Sequence, residues 1–100
     1  MESRIGVVGI ILENPLQDAS KVNDILSQYS SIIVGRMGIP YRNKGVSVIA
    51  LTVDGSNDAI GAMTGKLGQI RQVRVKSALA ASSSSSGSHE EETVLKEALR

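Results

Sequence analysis

The 100-residue sequence predicts an α+β fold in which strands and helices follow in the order β-α-β-β-α-β. Short apolar runs rich in β-branched residues predict the strands, and the clearest are "RIGVVGIILE" and "VSVIALTV". Two other segments repeat apolar residues at helical spacing, and each follows a residue that commonly caps a helix. This order is the split-βαβ or ferredoxin-like arrangement, here predicted as a four-stranded antiparallel sheet with two helices on one face.

The first half of the chain supplies one strand and one helix. Residues 4–13 predict a strand because the run is short, apolar and β-branched. Asn14 suits the N-cap of a helix, Pro15 suits its first position, and Gln17 suits the returning bond of a capping box. Asp18 is expected to be an ordinary first-turn acid. The apolar positions of this helix follow helical spacing: Ala19, Val22, Ile25, Leu26 and Tyr29.

The second half supplies a hairpin, a helix and a last strand. Residues 32–41 and 46–53 predict the two hairpin strands, joined by a turn at residues 42–45. Ser56 or Asn57 is the expected N-cap of the second helix. The apolar face of that helix consists of Ile60, Met63, Leu67 and Ile70.

The expected strand order places strands one and three in the centre of the sheet and strands two and four at its edges. Pro40 stands in strand two, and proline is tolerated in edge strands. In the fourth strand Arg74 and Lys76 alternate with Val73 and Val75, and charged side chains protect a sheet edge.

Strand three carries apolar side chains on both faces of the predicted sheet. One face receives Val46, Val48 and Ala50, and the other receives Ile49, Leu51 and Val53. Two helices cover only one face, and an antiparallel sheet with water on its second face normally alternates apolar with polar residues. We therefore expect further copies of the chain to cover the second face, in a dimer or tetramer. The alternative is that the C-terminal tail covers it.

The C-terminal tail differs in composition from the expected folded domain at residues 1–79. Residues 80–88, "AASSSSSGS", have the composition of a flexible linker. Residues 89–100 predict a short amphipathic helix that begins with a capping box. A helix this short is marginal alone, so it either docks on a partner surface or frays. An artificial origin of part of the tail stays open.

Composition excludes several classes of function. A net charge of +1 argues against a broad nucleic-acid footprint. Without cysteine there is no disulfide, thiolate nucleophile or cysteine metal site, and the one histidine, His89, lies in the tail. No acid, base and nucleophile set converges, so we expect no enzyme, no metal and no cofactor. No apolar run reaches membrane-spanning length and no signal peptide opens the chain, which favours a cytoplasmic protein.

The second predicted helix carries three glycines on one side, opposite its apolar face: Gly61, Gly65 and Gly68, here called the glycine strip. Each glycine in a helix interior costs about 1 kcal/mol relative to alanine. Glycine permits close backbone approach, so we expect a ligand, a backbone or a partner helix to pack on the strip, with Lys66 beside it. The alternative is that the glycines mark a broken helix or, at Gly68, a C-terminal cap.

Residues 35–45, "GRMGIPYRNKG", form a second candidate surface. Arg36 and Arg42 bracket a Pro-Tyr pair that ends in Tyr41. Arginines beside an aromatic ring bind anions, nucleobases or a neighbouring subunit. The alternative is an edge strand that is protected by charge and proline.

Two stretches resemble a known family: "RMGIPYR" at 36–42 and "DGSNDAIGAMTGKLGQIRQVRVK" at 54–76. In these residues the sequence resembles the regulators of the iron-only hydrogenase system, over about residues 3–79. The resemblance implies a ferredoxin-like fold that is similar to ACT domains and to the regulatory domain of nickel-responsive regulators.

The resemblance also implies an oligomeric regulatory or ligand-sensing module that accompanies maturation of the iron-only hydrogenase. Nickel-responsive relatives bind metal through His and Cys, which residues 1–79 lack, and they carry an N-terminal DNA-binding segment. The first strand here begins almost at Met1, so DNA binding by this chain alone is not expected. We expect a small-molecule effector at a subunit interface, near the glycine strip or residues 36–42. The alternative is a structural or protein-interaction module without a small ligand.

Overall fold

The computed structural model describes residues 2–80. Its elements are β1 (Arg4–Leu12), α1 (Pro15–Gln28), a 3-10 turn (Ser30–Ile32), β2 (Ile33–Tyr41), a 3-10 turn (Arg42–Lys44), β3 (Val46–Gly55), α2 (Asn57–Gly68) and β4 (Val73–Leu79). The predicted βαββαβ order is therefore confirmed. Apart from Ala80, the predicted linker at 80–88 and helix at 89–100 lie outside the described residues.

The four strands form one antiparallel sheet in the order β2-β3-β1-β4. Strands one and three are central and strands two and four are edges, as predicted. β2 begins at Ile33, one residue later than predicted, because the N–H of Ile32 donates to the carbonyl oxygen of Tyr29 at 3.0 Å and closes a turn. The register of β2 against β3 shifts between Ile33 and Gly35, which marks a β-bulge near the start of the strand.

The helix starts agree with the sequence in position but differ in detail. Pro15 occupies the start of α1, as predicted. The predicted capping box is wrong, because the Asn14 side-chain amide donates to Gln17 Oε1 at 2.8 Å and caps no backbone N–H. At the second helix Ser56 is the N-cap, and its hydroxyl accepts a hydrogen bond from the N–H of Ala59 at 3.1 Å.

Both helices pack on the same face of the sheet and enclose an aliphatic core. On the central strands the core side chains alternate along the chain, so that Val8, Ile10 and Leu12 of β1 share this face. Each fully buried side chain of this size contributes about 1.5–3 kcal/mol. The remaining buried apolar residues are Val22, Leu26, Ile49, Leu51, Val53, Ile60, Met63, Leu67 and Val73.

The other face of the sheet, here called the open face, is also apolar. Val7 of β1 is 54% exposed and Met37 of β2 is 59% exposed, although both occupy the sheet. The register adds partly buried Val48 and Ala50 from β3 to the same face. The prediction that β3 carries apolar side chains on both faces is confirmed. The further exposed apolar side chains of this face are Ile5, Ile11, Ile39 and Tyr41.

Two glycines have a clear structural reason. Gly6 lies opposite Leu79, and a Cβ at this position would lie 2.7 Å from the carbonyl oxygen of Ala78. Only glycine therefore allows β4 to approach β1 at this point. Gly45 has a φ of 67° and ends the hairpin turn in the left-handed region, where other residues are strained.

Candidate binding surfaces

The glycine strip lies open on the outer side of α2. Its three glycines are exposed, and a Cβ built on any of them would meet no atom of the described residues within 4 Å beyond its chain neighbours and the backbone of α2 itself. α2 runs without interruption through Gly68, and Gly68 has no positive φ. The alternative of a broken helix is therefore wrong, and the C-terminal cap is Gln69 rather than Gly68, which is the last residue of α2. The strip's role as a contact surface stays a prediction.

Lys66 follows Gly65 in sequence, yet its side chain turns towards α1. Its Nζ donates to Gln28 Oε1 at 3.1 Å and lies 5.1 Å from the centre of the Tyr29 ring. Lys66 therefore joins the two helices and belongs to the groove between them. The structure does not place it on the glycine strip.

The segment from Arg36 to Arg42 divides between the two faces of the sheet. Arg36 pairs with Leu51, whose side chain is in the core, and its Nη2 donates to Asn23 Oδ1 on α1 at 3.0 Å. Tyr41 pairs with Val46 and belongs to the open face. The structure separates these side chains, so that residues 36–42 present no single binding surface. Arg42 is exposed in the turn that follows β2.

A cleft of about 1010 Å³ opens between α1, α2 and the segment that leads into β4. Three cationic side chains line it: Lys21, Lys66 and Arg71. The other polar residues of its lining are two carboxylates and five amides: Asp18, Asp24, Asn14, Gln17, Gln28, Gln69 and Gln72. Two apolar residues, Ile25 and Ile70, complete the wall. The cleft therefore offers both signs of charge and many hydrogen-bonding groups to one small molecule.

Asp18 is the one buried charged residue among residues 2–80, with 4% of its surface exposed. Its backbone N–H donates to the carbonyl oxygen of Asn14 at 3.0 Å, as an ordinary first-turn residue does. Its carboxylate accepts no hydrogen bond and has no Lys or Arg nitrogen within 4 Å in the described part of the chain. The expectation of an ordinary first-turn acid therefore missed its burial.

The sequence did contain a signal for the burial of Asp18. Val22 and Leu26 follow it at intervals of four residues, so Asp18 stands on the apolar stripe of α1. An acidic residue on the stripe that faces the core is uncommon, because charged side chains are rarely fully buried without a partner.

The open face holds a second, smaller depression of about 270 Å³. Gly35 contributes no side chain, and the side chains of Val7, Met37 and Thr52 surround the space. Its size and apolar rim suit one aliphatic side chain of another molecule.

Within residues 2–80 neither helix is long and apolar enough to span a membrane.

Comparison with known protein families identifies the family to which this chain belongs. Residues 4–77 match the family described as "TM1266-like: Iron-only hydrogenase system regulator, putative". The chain belongs to this family. The match includes all of the sheet except the end of β4, and both helices.

The solved structures agree with the fold. The uncharacterized protein TM1266 from Thermotoga maritima is 38% identical, with a TM-score of 0.77, and the match covers 80% of this chain and 100% of that protein. A formyltetrahydrofolate deformylase from Pseudomonas putida KT2440 is 9% identical, with a TM-score of 0.54, and the match covers 74% of this chain and 28% of the enzyme. An unknown protein from Galdieria sulphuraria is 12% identical, with a TM-score of 0.54 and coverage of 84% and 48%. The last two share only the fold. No curated protein matches the chain.

Proposed function

We propose that the chain is a cytoplasmic, non-enzymatic regulatory module of the iron-only hydrogenase system that works as a homo-oligomer and responds to a small effector. Membership of the regulator family supports the regulatory role. The open face is the observation that supports the homo-oligomer. A sheet face in contact with water is normally polar, but this face is apolar.

The size of the open face favours a protein partner. β1 and β2 are each nine residues long, and the apolar part of the face is three strands wide. It therefore covers on the order of 400 Å². The largest apolar patch on a typical monomer covers about 300–600 Å² and often marks a functional contact, so an apolar face of this size suits a protein partner.

A second copy of this chain suits the face because its centre is apolar and its margin is charged. Arg74 and Lys76 of β4 lie at one margin, where Arg74 Nε contacts Glu13 Oε1 at 2.7 Å. An apolar centre with a polar rim is the usual anatomy of a protein interface. In a two-fold dimer the depression beside Gly35 receives an aliphatic side chain such as Met37 of the other copy.

The two surfaces predicted from sequence take different places in this proposal. Tyr41 and the adjacent Arg42 lie at the end of the open face, so they come near the proposed subunit contact. The glycine strip lies on the opposite layer and stays a proposed contact surface for a further partner. Arg36 is directed to α1 and contributes to the helix side of the sheet.

Light scattering coupled to size exclusion tests the oligomer on the full chain. We expect a mass of at least twice the 10.5 kDa of one chain. The double variant Val7→Lys, Met37→Lys places lysines on both copies across a two-fold interface, and we expect it to be monomeric because like charges repel there. Leu16→Lys is the matched control, since Leu16 is fully exposed on α1 and its replacement leaves the mass unchanged.

A monomeric wild-type chain would overturn the oligomer. An oligomer that persists in the double variant, with an unchanged circular dichroism spectrum, would show that copies meet elsewhere. An oligomer without any small-molecule response would favour the structural or protein-interaction module over the sensing module.

A further inference from the structure

The cleft on the helix side contains a carboxylate that the fold does not satisfy. Burial of a charge without a partner is strongly unfavourable, and native proteins pair nearly all buried polar groups. Only 4% of the surface of Asp18 is exposed, yet no hydrogen-bond donor of the described residues reaches its carboxylate oxygens. The N-terminal end of α1 offers Asp18 only the modest stabilisation of the helix dipole and no hydrogen-bond donor, so the carboxylate suits a ligand that brings its own donor.

Cationic side chains stand nearby but do not neutralise Asp18. Lys21 lies one turn along α1 and Arg71 lies on the segment before β4, and both are exposed in the lining of the cleft. Lys66 donates to Gln28 instead. None of their nitrogens lies within 4 Å of the Asp18 carboxylate. The lining therefore offers a ligand two separate features: a carboxylate that can accept hydrogen bonds and cationic side chains that can donate them.

We propose that this cleft binds a small molecule that carries both an N–H donor group and an anionic group. The N–H group donates to the Asp18 carboxylate, and the anionic group is bound by Arg71 and Lys21 through charge-assisted hydrogen bonds. The two carboxylates of the lining have no third acidic neighbour, and residues 2–80 hold no acidic cluster that suits a metal ion. The proposal deepens the regulatory function by naming the class of effector, and it rests on that function for its biological role.

Two kinds of metabolite share this chemistry. A free α-amino acid carries an ammonium and a carboxylate. A guanine nucleotide carries two adjacent N–H donors on the base, which match the two oxygens of a carboxylate, and a phosphate. The experiment separates these sources by using one probe set for each.

The test measures thermal unfolding of the full chain by circular dichroism, with GMP and with a mixture of the twenty free amino acids. AMP is the matched control for GMP because it keeps the phosphate and lacks the paired N–H donors. The α-hydroxy acids lactate and malate are the controls for the amino acids because they lack the ammonium. We expect one probe set to raise Tm in proportion to the logarithm of its concentration, and its control to have no effect.

Three variants assign the effect to the cleft. Asp18→Asn removes the charge at nearly constant volume, and Arg71→Gln removes the cation that binds the anionic group. We expect both to abolish the rise in Tm. Asp58→Asn, at an exposed acid of α2 outside the cleft and away from the open face, retains it.

The unliganded variants separate a binding role from a structural one. Because the Asp18 carboxylate is buried without a donor, Asp18→Asn is expected to raise Tm without ligand by roughly 4 °C or more. Arg71→Gln is expected to leave the unliganded Tm unchanged.

Several results would overturn the proposal. They are a lower Tm in unliganded Asp18→Asn, a probe response that survives in that variant, and the absence of any response to both probe sets in the wild-type chain. The oligomer mass is measured independently of these readouts, so failure of the cleft leaves the open-face interface untouched, and the reverse also holds.

Discussion

Replacing the glycines of the glycine strip should stabilise the folded chain, but it should weaken assembly if the strip is a contact surface. Gly61 and Gly65 are the fifth and ninth residues of the 12-residue α2, so both are interior positions of the helix. Beyond its chain neighbours and the backbone of α2, an added Cβ meets no atom of the described residues within 4 Å at either position. The double variant Gly61→Ala, Gly65→Ala should therefore raise the free energy of unfolding by about 2 kcal/mol, from about 1 kcal/mol at each site.

Urea unfolding of the full chain, followed by circular dichroism at several protein concentrations, measures this change. The concentration series is needed because assembly also adds to apparent stability. The matching increase in Tm is roughly 8–16 °C for a domain of this size. Gly6→Ala is the opposite control, since its Cβ would lie 2.7 Å from the carbonyl oxygen of Ala78 and would force β4 away from β1. We expect that variant to lose about 1–3 kcal/mol.

If the Gly61→Ala, Gly65→Ala variant is no more stable than the wild type, the added methyl groups meet other atoms, and the description of the strip as open surface is wrong. Light scattering on the same variant tests the strip as a contact surface. A stabilised chain with reduced mass supports close packing on the strip, because each methyl group keeps another backbone away. A stabilised chain with unchanged mass removes the strip from the interface between copies.

The packing and the caps give two further predictions. Ser56→Ala removes the acceptor of the Ala59 N–H and should cost about 1 kcal/mol in urea unfolding, whereas Ser20→Ala on the exposed side of α1 should cost nothing measurable; equal effects would contradict the cap. Met63→Ala leaves a cavity at a fully buried position and should cost about 2–5 kcal/mol. The same change at exposed Met37 should have much less effect on the free energy of unfolding of a single chain, and similar losses would contradict the core described above.

The fold was predictable because local patterns and long-range packing agree in this chain. Pro40 and the charges of β4 identify the edge strands, since a central strand tolerates neither well. The apolar side chains on both faces of β3 also follow directly from alternation along an extended backbone.

The site was less predictable because binding surfaces depend on which side chains share a face. The prediction of one surface at residues 36–42 overlooked the alternation of a strand: Arg36 and Tyr41 are five residues apart, so their side chains lie on opposite faces. Lys66 is adjacent to Gly65 in sequence, but one helical step of about 100° turns it towards Gln28. The cleft brings together α1 and the segment before β4, and no local motif in the sequence records that contact.

The distribution of aromatic residues has a practical consequence for spectroscopy. The chain contains two tyrosines and no tryptophan or phenylalanine. Tyr41 lies on the open face, and Tyr29 lies under the Lys66 ammonium at the margin of the cleft. Each layer of the fold thus carries its own intrinsic fluorophore. In a Tyr29→Phe variant the emission and anisotropy come from the sheet side alone, and in Tyr41→Phe from the helix side alone, so subunit exchange and ligand uptake can be followed separately without an attached dye.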